Sequence, residues 1–342
     1  MLCLHIGLPK TGTSAIQHFL RGHADWLSDA GFHYALTPEA APDADGVSSG
    51  NALALVRYLD PRRRPEAFSV ASFERTFEAT YLSDRHSVSI ISSEFLASAG
   101  ADQLLRFRDQ VVGDRPVMVI AAVRSLYGHA FSTWGQLVKR HAYSRSFAHF
   151  AQRQYFNSQI AVLRRYGKCF GWDRLKLIRY DQHQHDIVGA FLAELGAPQS
   201  PDRQAPRINR SLSRAELDVQ LILNRLHGSP GLATAVSDRF VSERPDGASG
   251  RVWRPDVARS LADRFGDEVR TLARKTGQPL EALLEERSWG DTTTASGEYA
   301  QATADALGAM WSGFVRGAVS DRRREQDEPE PSLITSQRPH YQ

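Results

Sequence analysis

The chain has 342 residues, of which 42% are hydrophobic and 24% are charged, and these proportions exclude collagen-like, coiled-coil and wholly disordered proteins. Lysine and arginine number 42 against 39 aspartates and glutamates, an excess too small to predict non-specific nucleic-acid binding by charge. The 2 cysteines can form neither a disulfide framework nor a four-thiolate metal site, and no apolar run reaches the ~20 residues that cross a bilayer. We therefore expect a folded cytoplasmic protein with no membrane span and no nucleic-acid partner.

Strand and helix patterns alternate through the first two hundred residues. Short apolar runs predict buried strands, and apolar residues at helical spacing predict helices. In chain order these are a strand over 2–8, helices over 13–27, 51–59 and 70–82, a strand over 87–92, a helix over 101–112, a strand over 117–123, helices over 126–139 and 147–166, a strand over 175–180 and a helix over 187–195. The alternation predicts a three-layer α/β fold, with a parallel sheet of about four or five strands and helices on both faces.

The last third of the chain has a helical pattern. Helices are predicted over 214–226, 255–276, 279–286 and 298–319. We expect one domain over 1–320, with an α/β part over 1–226 and a helical part over 227–320. The polar, proline-bearing segment 321–342 is typical of a disordered tail.

The segment Gly7-Leu-Pro-Lys-Thr-Gly-Thr-Ser14 lies between the first strand and the first helix. Backbone N–H groups and the positive end of the helix dipole favour a phosphate there. The P-loop of nucleotide triphosphatases has Lys and then Ser or Thr directly after its second glycine. Here Thr13 follows Gly12, and Lys10 precedes that glycine. The loop therefore predicts a phosphate site of another kind, although a simple strand-to-helix turn or another phosphate-binding P-loop protein stays open.

Residues 9–14, Pro-Lys-Thr-Gly-Thr-Ser, resemble the phosphosulfate-binding loop of the sulfotransferases that use 3′-phosphoadenosine 5′-phosphosulfate (PAPS). In that family the loop has the form Pro-Lys-x-Gly-Thr-Ser/Thr and follows the first strand. The resemblance implies a P-loop-like sulfotransferase fold with PAPS as the donor, which leaves as adenosine 3′,5′-bisphosphate (PAP). It implies cofactor contacts from Pro9, Lys10, Thr11, Gly12, Thr13 and Ser14.

A second part of the resemblance lies at the predicted strand 117–123. In the family, an arginine at the end of a later strand and a serine eight positions on bind the 3′-phosphate. Here Arg124 ends the strand and Ser132 lies 8 residues beyond it, so the two side chains can converge on one anion. The family often has Asp or Asn and then Pro after the arginine, whereas this chain has Ser125 and Leu126. An arginine that ends a strand and a serine on a solvated helix face are the alternative.

The segment Arg207-Ile-Asn-Arg-Ser-Leu-Ser213 resembles the short Asn-x-Ser segment that opens the helical C-terminal part of many bacterial and Golgi-type members. The resemblance implies that Asn209 and Ser211 approach the nucleotide. Asn and Ser ahead of a helix are equally explained as helix N-caps.

Sulfuryl transfer to an alcohol needs a base, positive charge near the leaving oxygen and in-line positioning. Lys10 would supply the charge. Glu94 directly follows the second long strand and would be the base, because ligands bind at the carboxyl edge of open α/β sheets; it could instead cap a turn or pair with Lys10. His129, between Arg124 and Ser132, is the second choice. A sulfuryl group carries less negative charge than a γ-phosphoryl group, so no metal is expected.

The run Asp181-Gln-His-Gln-His-Asp186 holds side chains that can bind a metal. It lacks a distant partner cluster, and we interpret it as a hydrated connector.

We therefore expect an enzyme that transfers a sulfuryl group from PAPS to an acceptor hydroxyl, and the resemblance implies a bacterial enzyme that acts on a carbohydrate or glycolipid. A P-loop kinase or nucleotide triphosphatase, or a non-catalytic nucleotide-binding module, remains the alternative. The sequence predicts neither the acceptor nor the oligomeric state.

Overall fold

A computed structural model describes residues 1–37, 50–199, 211–244, 253–284, 303, 305–308 and 310. These residues fall into two compact units. The first lies within Met1–Gln136, Arg145–Asn209 and Trp253–Asp291, and the second lies within Leu137–Ser144, Arg210–Val252 and Thr292–Gln342. The division of 1–320 into an α/β part and a helical part stays a prediction.

The first unit contains a sheet of five parallel strands in the order β2-β3-β1-β4-β5. The strands are β1 (Leu2–Ile6), β2 (Phe32–Tyr34), β3 (Val88–Ser93), β4 (Val117–Val123) and β5 (Leu175–Arg179). The predicted α/β class, with a parallel sheet of four or five strands, is confirmed.

The helices of the described residues connect and flank these strands. In chain order they are α1 (Thr13–Gly22), α2 (Ala24–Asp29), α3 (Leu53–Leu59), α4 (Val70–Tyr81), α5 (Ala101–Phe107), α6 (Leu126–Arg140), α7 (Phe147–Arg153), α8 (Ser158–Phe170), α9 (Tyr180–His183), α10 (Ile187–Leu195), α11 (Arg214–His227), α12 (Pro230–Glu243) and α13 (Pro255–Thr276). Helices α11 and α12 belong to the second unit. Across the described residues, no helix is both long enough and apolar enough to cross a membrane.

Every residue of β1, β3 and β4 is buried, as expected for a parallel sheet covered on both faces. On one face, Ile16 and Phe19 of α1 and Phe191 of α10 share a core with Cys3 of β1 and Ile120 of β4. Full burial of such an apolar side chain contributes about 1.5–3 kcal/mol. The central strands are therefore firmly held between the layers.

The strand order positions the site. After β1 the chain leads to β2 on one side of the sheet, and after β4 it leads to β5 on the other side. Strands β1 and β4 are neighbours, so their following connections diverge at the carboxyl edge, the arrangement that forms a crevice in open α/β folds. Open α/β folds bind ligands in such a crevice.

Two predicted helices are interrupted. The predicted helix 13–27 breaks at His23, which ends α1 and precedes α2. The predicted helix 147–166 is wrong as a single element, because α7 ends at Arg153 and α8 starts at Ser158. The buried side chains of Tyr155 and Asn157 occupy the break.

Other differences concern short or polar segments. The predicted helix 101–112 is α-helical only to Phe107 and continues as a π-helical turn, Arg108–Val112. The predicted helix 279–286 shrinks to a 3-10 turn, Glu281–Leu283. Strand β2 and helix α12 were not predicted. The tail 321–342 lies outside the described residues, and so does most of the predicted helix 298–319.

The second unit is described separately. Helix α11 begins with a capping box, in which the Ser213 hydroxyl accepts from the Glu216 N–H and the Glu216 carboxylate accepts from the Ser213 N–H. Such a cap contributes about 1 kcal/mol. Further along α11, the Asn224 side-chain amide donates to the carbonyls of Val138 and Tyr143, at 2.9 and 3.0 Å. These bonds tie α11 to the end of α6.

Candidate active site

The loop between β1 and α1 folds back on itself. The hydroxyls of Thr11 and Thr13 both donate to the carbonyl of Leu8, at 2.7 and 3.3 Å, and both residues are buried. Their hydroxyl protons therefore hold the loop closed. Because both hydroxyl protons are used in this way, the two threonines could contact a cofactor through their backbone N–H groups and through the lone pairs of their hydroxyl oxygens.

Two residues of this loop have a left-handed backbone conformation, Lys10 with φ 65° and Gly12 with φ 82°. Gly12 is the N-cap of α1, and glycine adopts this conformation without the steric cost that a Cβ brings. A Cβ on Gly12 would also lie 3.1 Å from the Tyr180 ring. The loop conformation and its close packing therefore both favour glycine here.

The loop ends where α1 begins, with Thr13 and Ser14 as the first helical residues. Their N–H groups have no intrahelical acceptor, because they precede the first complete turn. Pro9 and Lys10 are exposed, and Ser14 is partly exposed. The loop thus presents backbone donors and a lysine at the carboxyl edge of β1, an arrangement that suits a bound phosphate.

Arg124 reaches this loop from the end of β4. Its Nη1 donates to the carbonyl of Lys10 at 3.3 Å across 114 positions of sequence. The arginine is only 4% exposed. The structure therefore brings the two predicted phosphate anchors into direct contact.

Three residues that sequence reasoning missed hold Arg124 in place. The Gln159 side chain accepts from the Arg124 N–H at 2.8 Å and donates to its carbonyl at 3.2 Å. The carboxylate of Asp181 lies 3.5 Å from the Arg124 Nε. The guanidinium carbon lies 5.2 Å from the centre of the Tyr180 ring, within the range of a cation–π contact.

The interpretation of residues 181–186 as a hydrated connector is wrong for both of its aspartates. Asp181 belongs to α9 and accepts from the Ser125 N–H at 2.6 Å, just ahead of α6. Asp186 caps α10 by accepting from the Gly189 N–H at 2.9 Å. The signal for Asp181 was its position directly after a strand, where side chains reach the carboxyl edge.

Glu94 lies beside the loop. The register pairs Ile6 with Ser93, and the Gly7 N–H donates to the Ser93 carbonyl at 3.1 Å. A Cβ on Gly7 would lie only 2.8 Å from the Glu94 Cα, so the two backbones pack directly together. Glu94 is exposed and opens a 3-10 turn, Glu94–Ser98. Its carboxylate is therefore carried at the same edge of the sheet as Lys10.

His129 is placed differently from Glu94. It is 2% exposed, and its Nδ1 lies 2.8 Å from the Tyr155 hydroxyl. Among the described residues, its Nε2 has no hydrogen-bond partner. Burial, with a smaller contribution from the Arg124 charge, lowers the pKa of His129 to about 4. A neutral, enclosed imidazole of this kind is typical of a core residue that supports the Arg124 region.

The lowered pKa of His129 predicts acid sensitivity. Between pH 6.5 and 4 the unfolded chain binds a proton at this histidine and the folded chain does not, so stability falls as pH decreases through this window. From the pKa of about 4, the loss between pH 7 and pH 5 is about 2 kcal/mol. The His129→Gln variant lacks this contribution. Between pH 7 and pH 5, we therefore expect the unsubstituted protein to lose about 2 kcal/mol more of its free energy of unfolding than the variant does. Urea unfolding at both pH values measures the difference, and equal decreases would contradict the prediction.

The other predicted residues are placed as follows. Ser132 lies in the second turn of α6 and is partly exposed. It follows Ser125 by 7 positions and so shares a helix face with it. Ser211 belongs to the second unit and is exposed. Asn209 lies outside the described residues.

Within the described ranges, no group of three or more His, Cys, Asp or Glu side chains is arranged to hold a metal ion.

Among solved structures, the chain is similar to a sulfotransferase from Alicyclobacillus acidocaldarius. The two chains are 16% identical, the match covers 83% of this chain and 98% of that chain, and the TM-score is 0.44. No protein-family model and no curated protein sequence matches the chain.

Proposed function

We propose that the protein is a sulfotransferase that moves a sulfuryl group from PAPS to an acceptor hydroxyl on a carbohydrate or glycolipid. One observation carries the proposal. Arg124 Nη1 donates to the carbonyl of Lys10 at 3.3 Å, so the predicted 3′-phosphate ligand and the predicted phosphosulfate loop meet at one sheet edge. The order of these features along the chain is the order expected from the resemblance of residues 9–14.

The residues around the loop fit the donor. A guanidinium has five N–H donors, and burying its charge is costly unless anions compensate it. Arg124 is 4% exposed, yet its carboxylate partner, Asp181, lies 3.5 Å away. Among the described residues, its Nε has no hydrogen-bond partner. A phosphate at this position would add a second negative charge and accept a hydrogen bond from the guanidinium.

Each residue of the site has a role in this proposal. The backbone N–H groups of Thr13 and Ser14 and the positive end of α1 bind the 5′-phosphate side of the donor. Arg124 and Ser132 bind the 3′-phosphate. The buried threonines of the loop, Thr11 and Thr13, fix its shape through Leu8. The site is then organised before the donor binds, which lowers the entropy cost of binding.

The bound donor supplies an activated sulfuryl group, whose bond to the acceptor oxygen forms while its bond to the 5′-phosphate oxygen breaks. Lys10 places its ammonium beside the oxygen that gains negative charge. Glu94 accepts the hydroxyl proton at its carboxylate. Its exposed position beside the loop gives an acceptor access, whereas His129 is enclosed. Glu94 is therefore the base that we propose.

The test of Glu94 is its replacement by glutamine, which keeps the shape of the side chain and removes its basicity. We expect kcat to fall by about 10²–10⁴-fold, the range for loss of a general base. The assay follows PAP formation from PAPS with a panel of hydroxyl acceptors. Affinity for PAP should stay within about twofold, because Glu94 serves the acceptor side.

The matched control is Glu194→Gln, an exposed glutamate on α10, which should leave kcat unchanged. A Glu94→Gln enzyme with full kcat would remove Glu94 from the mechanism.

A further inference from the structure

Two arginines, Arg62 and Arg63, lie on the turn that follows α3, and Arg63 lies beside the proposed base. The 3-10 turn Pro61–Arg63 comes directly after this helix. The Arg63 guanidinium lies over the Phe95 ring, 4.4 Å from its centre, and Phe95 is the residue after Glu94. The cation–π contact holds a long, otherwise mobile side chain against the Glu94–Ser98 turn. Positive charge is therefore fixed next to the acceptor side of the site.

The charge on this turn exceeds what its own carboxylate balances. Arg62 binds both oxygens of Asp60, at 2.9 and 3.0 Å, and the Arg63 Nε lies 3.5 Å from the same carboxylate. Asp60 is only 7% exposed on its side chain, whereas Arg62 is 82% and Arg63 is 43% exposed. One buried negative charge is thus shared by two accessible positive charges.

The neighbouring Arg64 differs from these two arginines, because its side chain binds the backbone of α3. It donates to the carbonyls of Arg57 and Tyr58 at 2.8 and 2.5 Å, and so satisfies the C-terminal end of α3. Among the described residues, the side chains of Arg62 and Arg63 form no hydrogen bond with a backbone carbonyl. Their guanidinium groups contact the carboxylate of Asp60 and are otherwise accessible to solvent.

We propose that Arg62 and Arg63 form an anion subsite for the acceptor, which carries a carboxylate or sulfate group beside the hydroxyl that receives the sulfuryl group. Asp60 takes two of the five N–H donors of Arg62 and approaches only the Nε of Arg63. The planar guanidinium of Arg63 matches both of these anions, and Arg62 adds positive charge beside it. The inference rests on the proposed function, because it uses Glu94 to define the acceptor side. It adds the substrate class: acidic acceptors in preference to neutral ones.

The test measures binding of matched small acceptors to the full chain saturated with PAP. The probes are p-nitrophenyl β-glucoside, the β-glucuronide and the β-glucoside 6-sulfate, titrated at low ionic strength because salt screens exposed charges. We expect the two acidic probes to bind at least about tenfold more tightly than the neutral one. The ratio of their two affinities distinguishes a carboxylate from a sulfate ligand. In Arg62→Ala/Arg63→Ala the preference should disappear.

The control is Arg85→Ala, an exposed arginine at the opposite edge of the sheet, ahead of β3, which should keep the preference. Equal affinity for the acidic and neutral probes, undetectable binding of all three, or a preference that survives the double substitution would overturn the inference. PAP binding distinguishes a failure of the anion subsite from a failure of the proposed function. If PAP binds and the preference is absent, the anion subsite alone is wrong; if PAP does not bind the unsubstituted chain, the proposed function is wrong as well.

Discussion

Replacement of Arg124 by alanine is expected to weaken PAP binding by roughly 10²- to 10³-fold, the range for truncation of one partner in a buried, hydrogen-bonded charge pair. The reason is geometric. Gln159 fixes the backbone of Arg124. Asp181 and Tyr180 contact its guanidinium, which is therefore oriented before the nucleotide binds. Alanine removes the planar fork, which can bind a phosphate through two parallel hydrogen bonds. Calorimetric titration with PAP measures the change.

Two further variants make this prediction specific. Arg124→Lys keeps the charge and loses the planar fork, and we expect it to bind PAP with intermediate affinity. Arg270→Ala removes an arginine of α13 that is half exposed and paired with Asp267, and it should bind PAP like the unsubstituted protein. Alanine truncation also leaves Asp181 without its partner, so thermal unfolding of each variant is recorded alongside. Full PAP affinity in a folded Arg124→Ala protein would contradict the assignment of Arg124.

Replacement of Lys10 is expected to reduce kcat by about 10²–10³-fold, the usual cost of removing a group that stabilises charge in the transition state. Affinity for PAP should fall much less, since the backbone donors and Arg124 remain. Lys10 also has a positive φ of 65°, a conformation that costs an L-residue about 1–2 kcal/mol. The lysine therefore occupies a position that stability alone would give to glycine.

A pair of substitutions separates the chemical role of Lys10 from its backbone cost. Lys10→Ala and Lys10→Gly should lose turnover equally, because both remove the ammonium. Lys10→Gly should be about 1 kcal/mol more stable than Lys10→Ala, since glycine adopts the left-handed conformation without steric cost. Lys168→Ala, an exposed lysine of α8, is the control. Unchanged kcat in both Lys10 variants would exclude the proposed role.

Much of the fold could be predicted because its strongest elements have simple patterns. Strand β4 and helices α10 and α13 have the predicted bounds, since each is a sustained apolar run or an amphipathic period with clear ends. Strand β2 has only 3 residues, too few to show a period. The break between α7 and α8 contains no proline or glycine that would mark it in the sequence. The helix is interrupted there because side chains of the break are buried in the folded protein.

The candidate site could be predicted only in part, because some of its residues are not marked by any local sequence pattern. The loop around Lys10 and the position of Arg124 are visible locally, as a turn after one strand and the end of another. Gln159 and Asp181 were missed because they act on the backbone at the start of α6 from 35 and 56 positions away. No local pattern marks a side chain that binds a distant backbone group.

The most direct test of the account is a calorimetric titration of the unsubstituted chain with PAP in the absence of metal, compared with ATP and magnesium. A site built from Arg124 and the Lys10 loop discriminates by the 3′-phosphate, which ATP lacks. We predict that PAP binds at least about 100-fold more tightly than ATP with magnesium. Equal binding, or a preference for ATP with magnesium, would contradict the sulfotransferase assignment and would indicate phosphoryl-transfer chemistry at this loop.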